Sequence, residues 1–163
     1  FLKAAGLAHR AGRRVAIALS DSFCVDRFRD EFLDLMRRGI VDTVFANEDE
    51  IKSLYTTASL DAAIEAVRAD VRLAIVTRSE KGAMALEGQE RADIPAFPIA
   101  KLTDTTAIGD LFASGFLFGL ARNFDHEQSL RLGALAAAEV IQHVGARPQT
   151  NLQNLAREHG LLS

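Results

Sequence analysis

The spacing of apolar and polar positions changes several times along the chain, and each change marks an element. Residues 1–11 carry Leu2, Ala5, Leu7 and Ala8 at helical spacing. Gly12 follows, with Arg10, Arg13 and Arg14 near the end where the helix macrodipole favours cations. Val15–Leu19 is instead a continuous apolar run, which predicts a strand buried on both faces of a parallel sheet. Asp21 and Ser22 can cap a helix in which Val25, Phe28, Phe32, Leu35 and Met36 recur mostly every three or four residues, and Gly39 ends it. Val41–Ala46 predicts a second strand, and Asn47–Leu54 a helix capped by Asn47. A further helix starts at Ser59, and a strand follows at Leu73–Thr77.

Strands alternating with helices over short loops predict an α/β fold with a mainly parallel sheet. Met84–Leu86 and Phe97–Ala100 flank a polar segment containing Gly88 and Pro95, which predicts a short, partly antiparallel excursion at a sheet edge. The last third predicts helices over 108–122, 126–144 and 151–159.

Composition narrows the function classes. With 163 residues and 48% hydrophobic content, the chain can bury the core of one domain. Its 22 acidic and 19 basic residues are interspersed, giving a net charge of −3 and no electrostatic footprint for nucleic acid or an acidic membrane. The one cysteine, Cys24, cannot form an internal disulfide. Between Phe23 and Val25 it reads as a small buried apolar group in a reducing, cytoplasmic setting. No apolar run reaches bilayer length, so a soluble protein is expected. His9, His126, His143 and His159 lack paired zinc-ligand spacing. Phe1 already lies inside an amphipathic pattern, which predicts a piece cut from a longer polypeptide.

In open α/β sheets ligands bind beyond the carboxyl ends of strands, and three segments stand there. After the second strand, Asn47 and Glu50 have the spacing of a capping box, which explains them without a ligand. The same amide and carboxylate could also orient phosphates and a hydrated Mg²⁺. After the third strand, Thr77, Ser79 and Gly82 suit a plain turn, or hydroxyls laid along a nucleotide. The third segment, Asp104–Phe112 (DTTAIGDLF), opens a strongly apolar helix. A ligand-free reading has Thr106 as the cap, Asp110 complementing the dipole and Gly109 allowing close packing. The functional reading has the N–H groups from Ala107 to Asp110 hold an anion while the Asp110 carboxylate accepts a proton. Ala134 and Ala138, one turn apart on the following helix, leave room for a flat purine ring, or serve tight helix packing.

The order Asn47-x-x-Glu50, Val76-Thr77-x-Ser79-x-x-Gly82 and Asp104-Thr105-Thr106-Ala107-Ile108-Gly109-Asp110-x-Phe112 resembles the ribokinase-like, or PfkB, family of carbohydrate and nucleoside kinases. The resemblance implies a three-layer α/β/α sandwich that moves the γ-phosphate of ATP, with Mg²⁺, to a primary hydroxyl. It further implies that Asp110 is the base, the 107–110 amides the anion hole, and Asn47 and Glu50 the phosphate and Mg²⁺ positioners. Thr77, Ser79, Gly82, Ala134 and Ala138 would lie along the nucleotide. Within the family, Leu19-Ser20-Asp21-Ser22-Phe23 and Val41-Asp42-x-Val44-Phe45-Ala46-Asn47-Glu48 are most similar to adenosine kinases, so a nucleoside, adenosine first, is the implied acceptor. A sugar acceptor and a non-catalytic nucleotide-binding fragment stay open as alternatives. Two departures stand out: Ala107-Ile108 replaces the family's usual Gly-Ala pair, and the family's N-terminal acceptor and lid portion is expected to lie outside these residues. On this reading residues 1–163 are the C-terminal, nucleotide-binding portion of one kinase domain.

Overall fold

β1 (Ala16–Ala18), β2 (Thr43–Asn47) and β3 (Leu73–Thr77) pair in parallel in chain order, with Ala16 opposite Thr43 and Thr43 opposite Leu73. These positions belong to a computed structural model that describes all 163 residues, Phe1–Ser163. β4 (Ala83–Glu87) and β5 (Glu90–Ile94) extend the sheet to five strands in the order β1-β2-β3-β4-β5. Only Gly88 and Gln89 join β4 to β5, a connection short enough for an antiparallel pair alone. The sheet is therefore mixed but mainly parallel, as expected of an α/β fold.

The chain divides into two compact units. The first comprises Phe1–Arg78 with Ala85–Arg91, and the second Ser79–Met84 with Ala92–Ser163. In the first, α1 (Leu2–Arg10), α2 (Ser22–Arg27), α3 (Arg29–Arg37), α4 (Glu48–Leu54) and α5 (Leu60–Asp70) alternate with β1–β3. Val44, Leu73, Ile75 and Val76 of β2 and β3 are wholly buried, as are Ile51 and Val67 on the helices. Asp21 and Ser59 cap α2 and α5 through the N–H groups of Cys24 and Ala62.

The second unit holds α6 (Ile108–Ala121), α7 (His126–Val140) and α8 (Leu152–Glu158). α6 and α7 pack almost backbone to backbone. A Cβ added at Gly115 would stand 2.5 Å from the Leu132 carbonyl oxygen, and one at Gly133 would stand 2.7 Å from that of Phe112. Phe112 and Phe116 bury the rest of the α6 face. No helix is long and apolar enough to cross a membrane.

Four expectations need correction. β1 is not buried on both faces: Ala16 and Ala18 are exposed, and among residues 1–163 this strand has a neighbour on one side only. The helix expected from Asp21 to Gly39 breaks at Phe28 (φ −122°, ψ 29°). Asp26 and Arg29, flanking the break, both bond Ser53 of α4, a tertiary tie that periodicity cannot register. The second strand of the excursion is the polar segment Glu90–Ile94, not Phe97–Ala100. As an edge strand it needs little apolar content. Cys24 is half-buried beside an exposed Phe23, so it is not a core thiol.

Candidate functional site

In the first unit, parallel pairing places Asn47 opposite Thr77, both at strand carboxyl ends. Asn47 caps α4: its Oδ1 accepts the Glu50 N–H at 2.8 Å, and Glu50 Oε2 accepts the Asn47 N–H at 2.8 Å. The Asn47 side-chain amide also donates to Glu50 Oε1 at 2.8 Å, so the box is closed on three bonds. Glu50 is only 6% exposed, and this burial pushes its carboxyl above the ordinary range. The Asn47 N–H opposes the shift, and the charges of Asp21 and Asp49 add to it.

No group of three His, Cys, Asp or Glu side chains is placed to ligate a metal directly. Each Glu50 oxygen accepts one hydrogen bond and keeps acceptor capacity for a second. Such a donor set fits a hydrated Mg²⁺ that keeps most of its own waters, and does not fit an ion caged by protein ligands alone.

In the second unit, Ser79 (φ 51°) opens a 3₁₀ turn over Ser79–Lys81 that Gly82 (φ 91°) closes. A Cβ at Gly82 would fall 1.9 Å from the Ile94 carbonyl oxygen, so packing alone demands glycine there. The Ser79 side chain is exposed.

The amino end of α6 departs from its ligand-free reading in two respects. The cap residue is Ala107, not Thr106, and it stands in the left-handed region (φ 61°, ψ 15°) with no side-chain cap bond. The Thr106 N–H and hydroxyl donate instead to Asp104 Oδ1, at 2.9 and 2.7 Å. Nor does Gly109 serve close packing, since a Cβ there would meet nothing within 4 Å. The Gly109 and Asp110 N–H groups consequently have no acceptor in the chain, and the Asp110 side chain is exposed beside them. A non-glycine residue at positive φ costs on the order of 1 kcal/mol, and such strain concentrates where backbone groups are put to use. Ile108 is half-buried.

Behind this turn lies Asp104, whose Oδ2 accepts the Gly145 N–H at 2.9 Å. That bond, followed by the Thr106 hydroxyl and N–H, holds the Asp104 carboxyl at about 2, below its usual 3.8. The Thr103 and Asp104 N–H groups both donate to the Ile141 carbonyl just past α7, at 2.9 and 3.2 Å.

Ala134 and Ala138 are buried on α7, each lining a cavity. Ala138 shares one of about 600 Å³ with Phe97, Gln142, His143, Thr150 and His159. Ala134 lines a smaller one of about 220 Å³ with Ile94, Pro95 and Arg131. The His143 Nδ1 atom is buried without a partner. The predicted residues thus fall into separate sets. Asn47, Glu50 and Thr77 gather at one sheet end in the first unit. Ser79, Gly82, the 107–110 turn, Ala134 and Ala138 lie in the second. Sequence reasoning singled out neither the anchoring role of Asp104 nor Glu139, a buried acid in the otherwise small and apolar run 132–141.

Comparison with known proteins agrees with the fold and the family resemblance. The chain belongs to the pfkB family of carbohydrate kinases, whose family model matches residues 2–152. A solved structure described as a probable sugar kinase from Rhizobium etli CFN 42 is 50% identical with a TM-score of 0.98, over 99% of this chain and 49% of that one. The adenosine kinase of Sinorhizobium meliloti is 47% identical with a TM-score of 0.95, over 97% of this chain and 48% of that one. The cytidine kinase of Thermococcus kodakarensis is 32% identical over 142 residues, 82% of this chain and 49% of that protein. The chain thus spans about half the length of these relatives.

Proposed function

We propose that the full-length protein carrying these residues transfers the γ-phosphate of ATP to a primary hydroxyl of a nucleoside, adenosine first. One observation carries the reading: the motif aspartate, Asp110, stands exposed on a strained helix start whose Gly109 and Asp110 N–H groups have no acceptor within residues 1–163. The likeness to the S. meliloti adenosine kinase supports the choice of acceptor.

In this reading the acceptor hydroxyl oxygen bonds to the γ-phosphorus as its proton passes to the Asp110 carboxylate. The bond from that phosphorus to the bridging oxygen breaks, and ADP leaves. The amides at the amino end of α6 hold the charge that spreads over the transferring oxygens, and they are positioned before the reaction begins. Mg²⁺, when bound, neutralises phosphate charge, and Glu50 with Asn47 would reach it through water. Thr77, Ser79 and Gly82 flank the nucleotide. The purine lies against Ala138, in a cavity whose apolar side includes Phe97 and whose polar edge includes Gln142 and Thr150. Residues 1–163 form the nucleotide-binding portion of the kinase domain, and the setting is cytoplasmic.

Assaying the full-length protein with ATP·Mg²⁺ against adenosine, cytidine, other nucleosides, ribose and further sugars tests the proposal. Adenosine is expected to give the highest kcat/KM. A sugar preference, which the likeness to the R. etli protein favours, would keep the chemistry and replace the acceptor. No transfer to any of them would refute the kinase reading.

A further inference from the structure

Glu139 occupies the last turn of α7, the end of a helix where the macrodipole disfavours a carboxylate, and it is buried. An acid so placed requires compensation, and the structure supplies it from one segment of chain. Glu139 Oε1 accepts the Gln149 N–H at 2.8 Å, the Thr150 N–H at 3.0 Å and the Thr150 hydroxyl at 3.1 Å. Oε2 pairs with His143 Nε2 at 3.2 Å. Burial works to raise the Glu139 carboxyl, but His143 and the three donors outweigh it and the net shift is downward.

These bonds tie both ends of the segment 143–150 to one side chain. Inside that segment Gly145 donates to Asp104, and the other Asp104 oxygen holds Thr106, the residue before Ala107. A continuous path of hydrogen bonds and short loop therefore runs from Glu139 to the start of α6, all within the second unit.

We propose that Glu139 is a positioning residue for the amino end of α6: by fixing the 143–150 segment it sets Asp104, and through Thr106 the turn that aims the Gly109 and Asp110 amides. The consequence for catalysis rests on the kinase reading above; the structural coupling does not.

The test compares the full-length wild type with Glu139→Gln, at one pH, by two readouts. The first is residue-resolved amide hydrogen exchange. Gln keeps one acceptor oxygen but sets an amide N–H₂ against a partner. The Gly145, Thr106 and Leu111 amides are expected to exchange roughly tenfold faster, with those of β2 and β3 unchanged, as confined local opening requires. The second is kinetics: kcat is expected to fall roughly 10- to 100-fold with KM for the acceptor within about twofold, because a displaced donor is felt in the transition state. A role limited to overall stability would raise exchange throughout, or leave kcat per folded molecule unchanged. If Glu139→Gln does not fold, Thr150→Val, which removes one donor, is expected to give the same exchange pattern at about a two- to fivefold level.

Faster exchange at 143–150 with none at Thr106 and Leu111 would overturn the coupling, whatever the activity. Coupled exchange with an unchanged kcat in an active enzyme would overturn the catalytic part. A wild type that phosphorylates nothing would refute the kinase reading, while the exchange result would still decide the coupling.

Discussion

The Gly145 N–H donates to Asp104 Oδ2 at 2.9 Å across 41 residues of sequence, joining the turn after α7 to the segment that precedes α6. Since the same carboxylate holds Thr106, its ionised form is bonded to donors on both sides and its proton affinity falls to about 2.

Stability is therefore expected to carry an acid-sensitive part from Asp104. A folded pKa below the unfolded 3.8 contributes stability that is present above that value and lost as pH falls toward about 2. Asp104→Asn should lower Tm at pH 7 and flatten its decline between about 4 and 2. Glu139 titrates in the same direction, so the comparison is between wild type and variant at each pH. Parallel Tm–pH curves would show that Asp104 does not carry this dependence.

Glu50 has the opposite sign. Burial raises its folded pKa, so the charged form opposes folding, and wild-type stability is lost as pH rises through that value. Glu50→Gln removes this dependence but sets an amide N–H₂ against one Asn47 donor. The net change at pH 7 should be about 1 kcal/mol or less, with the variant most disadvantaged at low pH. If Glu50 also acts on metal-bound water, the variant should need more Mg²⁺ for half-maximal turnover. An unchanged Mg²⁺ titration would leave Glu50 a capping residue only.

Ala107→Gly should stabilise the protein. Glycine occupies φ near +60° without a steric penalty, and against its larger unfolded-state entropy the expected gain is about 0.5–1 kcal/mol in denaturant unfolding. A loss of stability would mean that the Ala107 methyl packs usefully and that the turn is unstrained.

What was legible in the sequence follows from where the forces act. Leu73–Thr77 reads directly as a strand because its apolar run is local, and the box at Asn47 and Glu50 reads from a three-residue spacing because both partners lie on one turn. β5 escaped because an exposed edge strand carries no apolar signature, and the break at Phe28 because the residue its flanks bond, Ser53, is distant in sequence. Within the candidate site, Asp110 and the 107–110 turn were legible as a motif. The uncapped, left-handed Ala107 was not, since spacing cannot reveal that Asp104 draws Thr106 away from the helix. Glu139 stayed hidden for a similar reason: its donors lie ten and eleven residues on, outside any helical period.

The cavity beside Ala138 gives a test of the nucleotide side. Ala138→Leu fills part of the space shared with Phe97 and Gln142 and is expected to weaken ATP binding by about tenfold or more while the protein still folds. Reduced stability with unchanged ATP affinity would place the purine elsewhere and leave Ala138 to helix packing.

The most direct measurement is the turnover of Asp110→Asn in the full-length protein with ATP·Mg²⁺ and adenosine, alongside its ATP affinity. General-base catalysis is typically worth about 10²–10⁴ in rate, so kcat should fall at least that far while ATP still binds nearly as in the wild type. Turnover near that of the wild type would contradict the assignment of Asp110 as the base, and with it the account of the α6 amino end as the catalytic centre.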